Sequence, residues 1–413
     1  MTDFRSWLRD KYGTPAALGG TWRRVIASFD DVVPPGEFAA ARKEDLPPYL
    51  DWLDFRQARG DADAQADVLD YLWPPAPPEE MPPRMVYERV RLASRELSAD
   101  GRPPTVAHVV DRVAAGADAA ARDLAVRAAL MHGARADKLP ADARRETLGP
   151  LLAALGEEPW EADHKMLIVY PHVYAQLRQL CGATTAFDNG TSPDGAADER
   201  TFGFERPIQT EGPALFGKFV DLAARTRFAF AVSDTRMQIE RVRHCQLVVC
   251  PTLELLSAEA MRTFDAYVAG GGFLAIGPRI PLVDETMQPN DTLARYFGAG
   301  LSDFATEVVH CGDGALLTLP GYSSPATIEQ LAFESGIAKA LIADGFGIDS
   351  TVHRSGRERL FFVANPNDFE IKTTPVGEAV RSLRNVETGD LWPGGGKSEL
   401  AIPPRTISAW RVT

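Results

Sequence analysis

The sequence predicts a multidomain α/β protein: a mainly helical first part, a middle of alternating strands and helices, and a small β-sandwich at the C-terminal end. Three observations carry this. In the first 155 residues apolar side chains recur at three- and four-residue spacing, the period of a helix. Between 165 and 280, short and nearly continuous apolar runs alternate with helical patterns, as in a parallel sheet covered on both faces. From about 350 onward, short strand-like runs are separated by Asn-Pro, Gly-rich and Pro-Pro breaks. A length of 413 residues fits about three domains.

Phe4, Trp7, Leu8 and Tyr12 place one apolar face on the first helix, and Gly13 ends it. Tyr49, Leu50, Trp52, Leu53 and Phe55 mark a second helical pattern that continues weakly towards Leu72. WPPAPPEEMPP, residues 73–83, has six prolines in eleven positions and reads as an extended linker, because proline lacks the N–H a helix needs. Residues 84–98 form an amphipathic helix. The β-branched run from Thr105 to Val110 reads as a short strand, one of one or two expected before residue 155. Residues 117–136 and 141–155 read as helices.

The first buried strand is MLIVYP, 166–171, followed by a helix over 212–226 and the strands RFAFAVSD, 227–234, and CQLVVCP, 245–251. Ser257 is placed to cap a helix over 257–269. Gly270, Gly271 and Gly272 end that helix, and FLAIGP, 273–278, is the next strand. In the last part RLFFVANP, FEIKTT, AVRSLRNV, ELAIPP and TISAWRVT read as antiparallel strands.

Charge and composition exclude several function classes. With 44 basic against 57 acidic residues the net charge is -13, the wrong sign for a nucleic-acid binder or for docking on an anionic membrane. No apolar run reaches the length of a membrane span, and the amphipathic N-terminus lacks a signal core. Cys181, Cys245, Cys250 and Cys311 form no ligand pattern, so neither a metal nor a cofactor is expected, and their sparse use fits a cytoplasmic location.

Several stretches resemble the β-galactosidases of glycoside hydrolase family 42. FRSWLRDKYGTPAALGGTWRRVIASFDDVVPP, 4–35, with DWLDF at 51–55, is similar to the helix and loop after the acid/base strand of that family's (β/α)8 barrel. LMHGARA, 130–136, resembles the stretch after the last barrel strands. LVVCPTLELLSAEAMRTFDAYVAGGGFLAIGPRIPLVDE, 247–285, is similar to its flavodoxin-like, or amidotransferase-like, middle domain, which is linked to trimer formation. LFFVANPNDFEI and ETGDLW are similar to its C-terminal β domain. The resemblance implies a remnant of the barrel over 1–155, a flavodoxin-like α/β domain over 156–345 and a β-sandwich over 350–413. It also implies retaining hydrolysis of terminal β-galactosides by two glutamates.

The departures from that pattern shape the functional expectation. The chain begins past the place of the acid/base glutamate, and no Asn-Glu dipeptide occurs anywhere in it. The candidate late strand PPTVAHVVDR, 103–112, offers Asp111 and no glutamate. A truncated, split or degenerate glycosidase, inactive alone, is therefore expected, since hydrolysis needs two carboxyls with opposite protonation states. Its partners would be a carbohydrate and further copies of itself, a trimer by resemblance, or a chain carrying the missing half of the barrel. The alternatives are a non-catalytic assembly or carbohydrate-binding subunit, and an amidotransferase-like enzyme built on Cys250.

Among individual residues, Trp52 and Trp73 are candidates to stack on a sugar face. His108 could line a sugar site, and Asp111 could be a catalytic carboxylate or a helix cap. His132 and His172 are weaker candidates of the same kind. The three glycines precede a strand, the reverse of a phosphate loop, and read as a helix end.

Overall fold

The computed structural model describes residues 3–61, 82–98, 101–114, 117–136, 139, 145–155, 160–162, 164–182, 199–226, 228–238, 245–297, 306–338, 342–344, 347–376, 380–394 and 398–413. The first part is helical. α1 (Phe4–Tyr12) is capped by Asp3, whose carboxylate accepts from Ser6 N at 2.8 Å, and it ends at Gly13 with φ +70°. α2 (Pro15–Thr21) and α3 (Pro47–Ala58) pack on it through an aromatic cluster. The Phe4 ring lies 5.0 Å from Trp52 and 5.2 Å from Phe55. α4 (Pro83–Arg95), α5 (Val106–Ala114), α6 (Ala119–Met131) and α7 (Arg145–Leu155) follow. The continuation towards Leu72 and all but the end of the proline-rich run lie outside the described residues.

The expected strand at Thr105–Val110 is helix instead. Val106, Val109, Val110 and Val113 are buried while His108 and Asp111 are exposed, so the spacing is that of a helical face. β-branched composition favours a strand, but here periodicity and burial decide. Among the described residues before 155, strand-like pairing is confined to isolated bridges at Glu96 and Thr105.

The middle sheet runs in the order β3-β2-β4-β5-β7-β6, built from β2 (Met166–Tyr170), β3 (Phe230–Asp234), β4 (Leu247–Thr252), β5 (Phe273–Pro278), β6 (Val308–Cys311) and β7 (Gly314–Thr318). All neighbours are parallel except the β6–β7 hairpin. The five parallel strands thus follow the doubly wound order 2-1-3-4-5. Side chains alternate between two cores. Met166, Ile168, Phe230 and Val249 face α4–α7 together with α8 (His172–Leu180), α9 (Ile208–Thr226) and α11 (Pro325–Glu334). Leu167, Val169, Val248 and Cys250 face α10 (Ala258–Ala269), which Ser257 caps as the sequence implies. Gly270 closes α10, and Gly271 takes φ +94°.

Two further sheets form the C-terminal part, in the orders β1-β9-β10-β15-β12-β13 and β14-β11-β8. Their strands are β1 (Glu161–Ala162), β8 (Ile342–Asp344), β9 (Asp349–Ser355), β10 (Glu358–Asn365), β11 (Ile371–Val376), β12 (Ser382–Asn385), β13 (Leu391–Pro393), β14 (Leu400–Ile402) and β15 (Thr406–Val412). Phe361, Val363, Leu383, Trp392, Leu400 and Trp410 fill a core between them. β1 pairs with β9, so residues 161–162 join this sheet and not the parallel one.

A buried polar chain fastens the helices to β9. Arg95 Nη2 lies 3.2 Å from His132 Nδ1. A guanidinium only donates, so Nδ1 accepts and the imidazole proton sits on Nε2. Nε2 then donates to Tyr87 Oη at 3.0 Å, and Tyr87 donates to Asp349 Oδ2 at 3.0 Å. Arg91 adds a 3.2 Å bond to the same oxygen. Burial, aided by Arg95, pushes His132 well below its ordinary range, so it is neutral. Burial alone would raise Asp349, but the Arg91 and Arg95 guanidinium charges outweigh it and hold the carboxyl low. Burial takes Arg95 down to about 10, still charged at neutral pH, with its guanidinium 4.4 Å from the Phe230 ring centre.

Candidate functional site

A cleft of about 490 Å³ opens over the carboxyl ends of β2, β3 and β4, between the parallel sheet and the N-terminal helices. Doubly wound sheets bind ligands at this end, where neighbouring connections leave in opposite directions. The residues after each strand supply its floor: His172, Val173 and Gln176 from α8, Thr235 and Arg236 after β3, and Ser257 ahead of α10. The opposing wall comes from α1 and α3, with Trp7, Lys11, Asp54 and Gln57.

Asp51, Asp54 and Gln57 recur every three residues and so share one face of α3. Asp51 is the anchor of that wall. Its carboxylate accepts from Lys11 Nζ at 2.8 Å, from Tyr12 Oη at 2.8 and 3.1 Å and from Trp22 Nε1 at 2.7 Å. Burial pushes its pKa up, against the pull of Lys11, Trp22 and Tyr12. Lys11 also donates to Asp54 Oδ2 at 3.0 Å. Burial alone would lower the Lys11 ammonium, but the two carboxylates outweigh it and raise it.

Across the cleft, Gln176 Nε2 donates to Asp54 Oδ1 at 2.5 Å, and His172 Nε2 lies 2.9 Å from Gln57 Oε1. Burial, with Arg236 nearby, takes His172 down to about 4, so it is neutral at physiological pH. The His172 backbone N–H donates to Thr235 Oγ1 at 3.0 Å, tying α8 to the end of β3. Asp234 would be raised by burial, but the Arg236 guanidinium, bonded to both its oxygens, lowers it. Glu285 accepts from Ala258 N at 2.6 Å at the start of α10, and burial raises its carboxyl.

Asp51 and Asp54 lie within two hydrogen-bond lengths of each other through Lys11, a range that includes the roughly 5–5.5 Å of a retaining carboxyl pair. Distance is not sufficient. The Asp51 side chain is 4% exposed and both its oxygens are taken by donors, so it cannot reach a glycosidic oxygen. Lys11 holds both groups as acceptors, whereas an acid/base pair needs one to give up a proton. The arrangement suits holding a neutral, hydroxyl-rich ligand between an indole face and planar polar groups.

Of the sequence's sugar-contact candidates, Trp52, His108 and Asp111 do not line this cleft. Trp52 packs among Phe4 and Phe55, 5.4 Å from the latter. Trp73 lies outside the described residues. His108 and Asp111 are exposed on α5, so Asp111 is neither at a strand end nor a cap. His132 is sealed in the chain to Asp349, while His172 does line the cleft. Cys250 lies fully buried within β4, and burial raises its thiol, so it is not placed as an amidotransferase nucleophile. All four cysteines are free. Among the described residues no group of three or more His, Cys, Asp or Glu is placed to hold a metal ion, and no helix is long and apolar enough to cross a membrane. Lys11, Asp54, Gln57 and Gln176, which line the cleft, are not singled out by the sequence. The three-residue repeat in DWLDFRQ was the available signal.

No family model and no curated protein sequence matches the chain. Solved structures do. Gan42B, a GH42 β-galactosidase from G. stearothermophilus, superimposes with a TM-score of 0.65 at 13% identity, over 99% of this chain and 75% of that one. The β-galactosidase of Rahnella sp. R3 gives 0.62 at 13% identity, over 99% and 75%. That of Bacillus circulans sp. alkalophilus gives 0.60 at 13% identity, over 99% and 76%. The chain shares the fold of these enzymes across its helical, α/β and antiparallel parts.

Proposed function

We infer that this chain is a carbohydrate-binding relative of the β-galactosidases that holds a β-galactoside-type sugar in the cleft and does not hydrolyse it alone. The observation that carries this is Lys11 fixed between Asp51 and Asp54, which turns this carboxylate pair of the cleft into a polar cradle. The shared fold supports a role in carbohydrate metabolism, and the Trp7 ring beside Lys11, 4.9 Å from Nζ, supplies an apolar face for sugar C–H groups. Hydrolysis would fall to a carboxyl pair on another chain, and self-assembly, a trimer by resemblance, belongs to the same reading.

The test pairs calorimetric titration of galactose and lactose with an assay on a chromogenic β-galactoside. Binding without turnover, weakened by Asp54→Ala, is the expected outcome. Turnover by the purified chain above the buffer rate would overturn the non-hydrolytic reading. Absence of binding to either sugar would overturn the carbohydrate-binding one.

A further inference from the structure

We propose that His172 and Gln176 set the ligand preference of the cleft, by presenting two hydrogen-bond acceptors to two hydroxyl donors of a single neutral sugar ring. The proposal rests on the carbohydrate-binding reading above. The two residues stand one turn apart on α8 and so share a face. Both are more than nine-tenths buried, at 8% and 4% exposure, and both line the cleft.

Their free atoms follow from what the bonded atoms do. Gln176 Nε2 donates to Asp54, and a carboxylate accepts only, so the amide is oriented with Oε1 as the remaining acceptor. His172 Nε2 faces the Gln57 carbonyl oxygen, which assigns the proton to Nε2 and leaves a lone pair on Nδ1. Among the described residues no donor reaches His172 Nδ1 or Gln176 Oε1. Neither atom is enclosed beyond the reach of solvent. Two acceptors this buried lose their water when a ligand enters, and only a ligand that brings donors restores the bonds.

The donor side is provided by Lys11. Its ammonium carries three N–H groups, of which Asp51 and Asp54 take two, leaving one for a ligand oxygen. A ring with neighbouring hydroxyls both donates and accepts, so it fits acceptors on one wall and a donor on the other. A carboxylated or phosphorylated sugar would set its anion against two lone pairs and the Asp54 carboxylate. Sites that bond a hydroxyl reject the analogue lacking it far more strongly than apolar pockets reject a missing methylene.

The experiment is a calorimetric titration of the full chain with galactose, its monodeoxy analogues and glucosamine. It compares the unaltered protein with His172→Phe, Gln176→Leu and His172→Gln. The unaltered protein should lose about tenfold in affinity for one or two particular deoxy sugars. Each apolar variant should bring the galactose-to-deoxy ratio for one of those positions close to one and leave the other ratio in place. His172→Gln, whose amide oxygen also accepts, should recover part of the lost ratio. A variant that weakens all sugars equally, with every ratio kept, would show a merely structural role and overturn the proposal. So would an unaltered protein that binds galactose yet ignores every deletion, a result that needs no variant to fold. Tighter binding of glucosamine than of galactose would reassign the acceptors to an ammonium. Failure to bind any neutral sugar would instead remove the carbohydrate reading on which the proposal rests.

Discussion

Asp51 concentrates more consequence than any other side chain of the cleft wall, because three donors of different kinds end on it. Asp51→Ala would leave the Tyr12 hydroxyl and the Trp22 N–H without their acceptor and Lys11 with Asp54 as its remaining carboxylate. Leaving a buried neutral donor unsatisfied costs about 1–3 kcal/mol, and chemical denaturation should register a loss of at least that order. Asp54 is 34% exposed and shares Lys11 with Asp51, so Asp54→Asn should cost under about 1 kcal/mol while weakening sugar binding. The buried histidines set the acid limit. His172 and His353 both sit near pKa 4 through burial, against 6.5 when unfolded. The unfolded chain therefore binds protons that the folded chain refuses, and stability must fall as pH drops through the window from 6.5 to 4. Each contributes a loss on the order of 3 kcal/mol by pH 4. Thermal melts across that window should show the midpoint falling steeply. A flat midpoint would mean the imidazoles are not held neutral.

At the scale of elements, the relay from Arg95 through His132 and Tyr87 to Asp349 joins α4 and α6 to β9 by directional bonds. Tyr87→Phe keeps the packing but leaves His132 Nε2–H without an acceptor and removes one donor from Asp349. A loss of about 1–3 kcal/mol in denaturant unfolding is expected, with little change in the cleft. Gly314 is a second such point, since a Cβ there would run into the carbonyls of Val268 and Gly272, which belong to backbone and cannot turn aside. Gly314→Ala should destabilise by about 1–3 kcal/mol in the same measurement. Elements differed in how legible they were. β5 and the Ser257 cap follow from sequence because an apolar run between glycines, and a serine before a helical pattern, have one favoured local solution. α5 was misread because its valines favour a strand while their 106, 109, 110, 113 spacing favours a helix, and only burial against α4 and α6 decides. The cleft was hidden for a similar reason. Asp51 and His172 lie 121 positions apart, and nothing local to either says that α3 crosses the mouth of β2.

The molecule as a whole does not divide where its texture changes. One continuous core takes in Val90 and Leu130 from the helical part, Ile168 and Val249 from the parallel sheet, and Phe362 and Ala409 from the C-terminal sheet. The sheet's outer strand is also covered by the earlier chain: Leu97 N donates to Val232 O at 2.8 Å, and Glu96 bridges to the same residue. A construction of three separately stable bodies would instead leave an apolar core in each and polar groups between them. It follows that residues 163–338, expressed alone, keep the face packed on α10 but expose the face packed on α4–α6, together with the unpaired edge of β3. Exposed apolar area beside an open strand edge recruits other copies. The isolated segment should therefore bind a hydrophobic dye and aggregate, and the full chain should unfold in a single transition seen alike by tryptophan fluorescence and far-ultraviolet dichroism. A monomeric segment with a sharp melt of its own would show that the helices merely rest on the sheet. In that case the cleft, whose two walls come from the two parts, would have to open and close as a hinge.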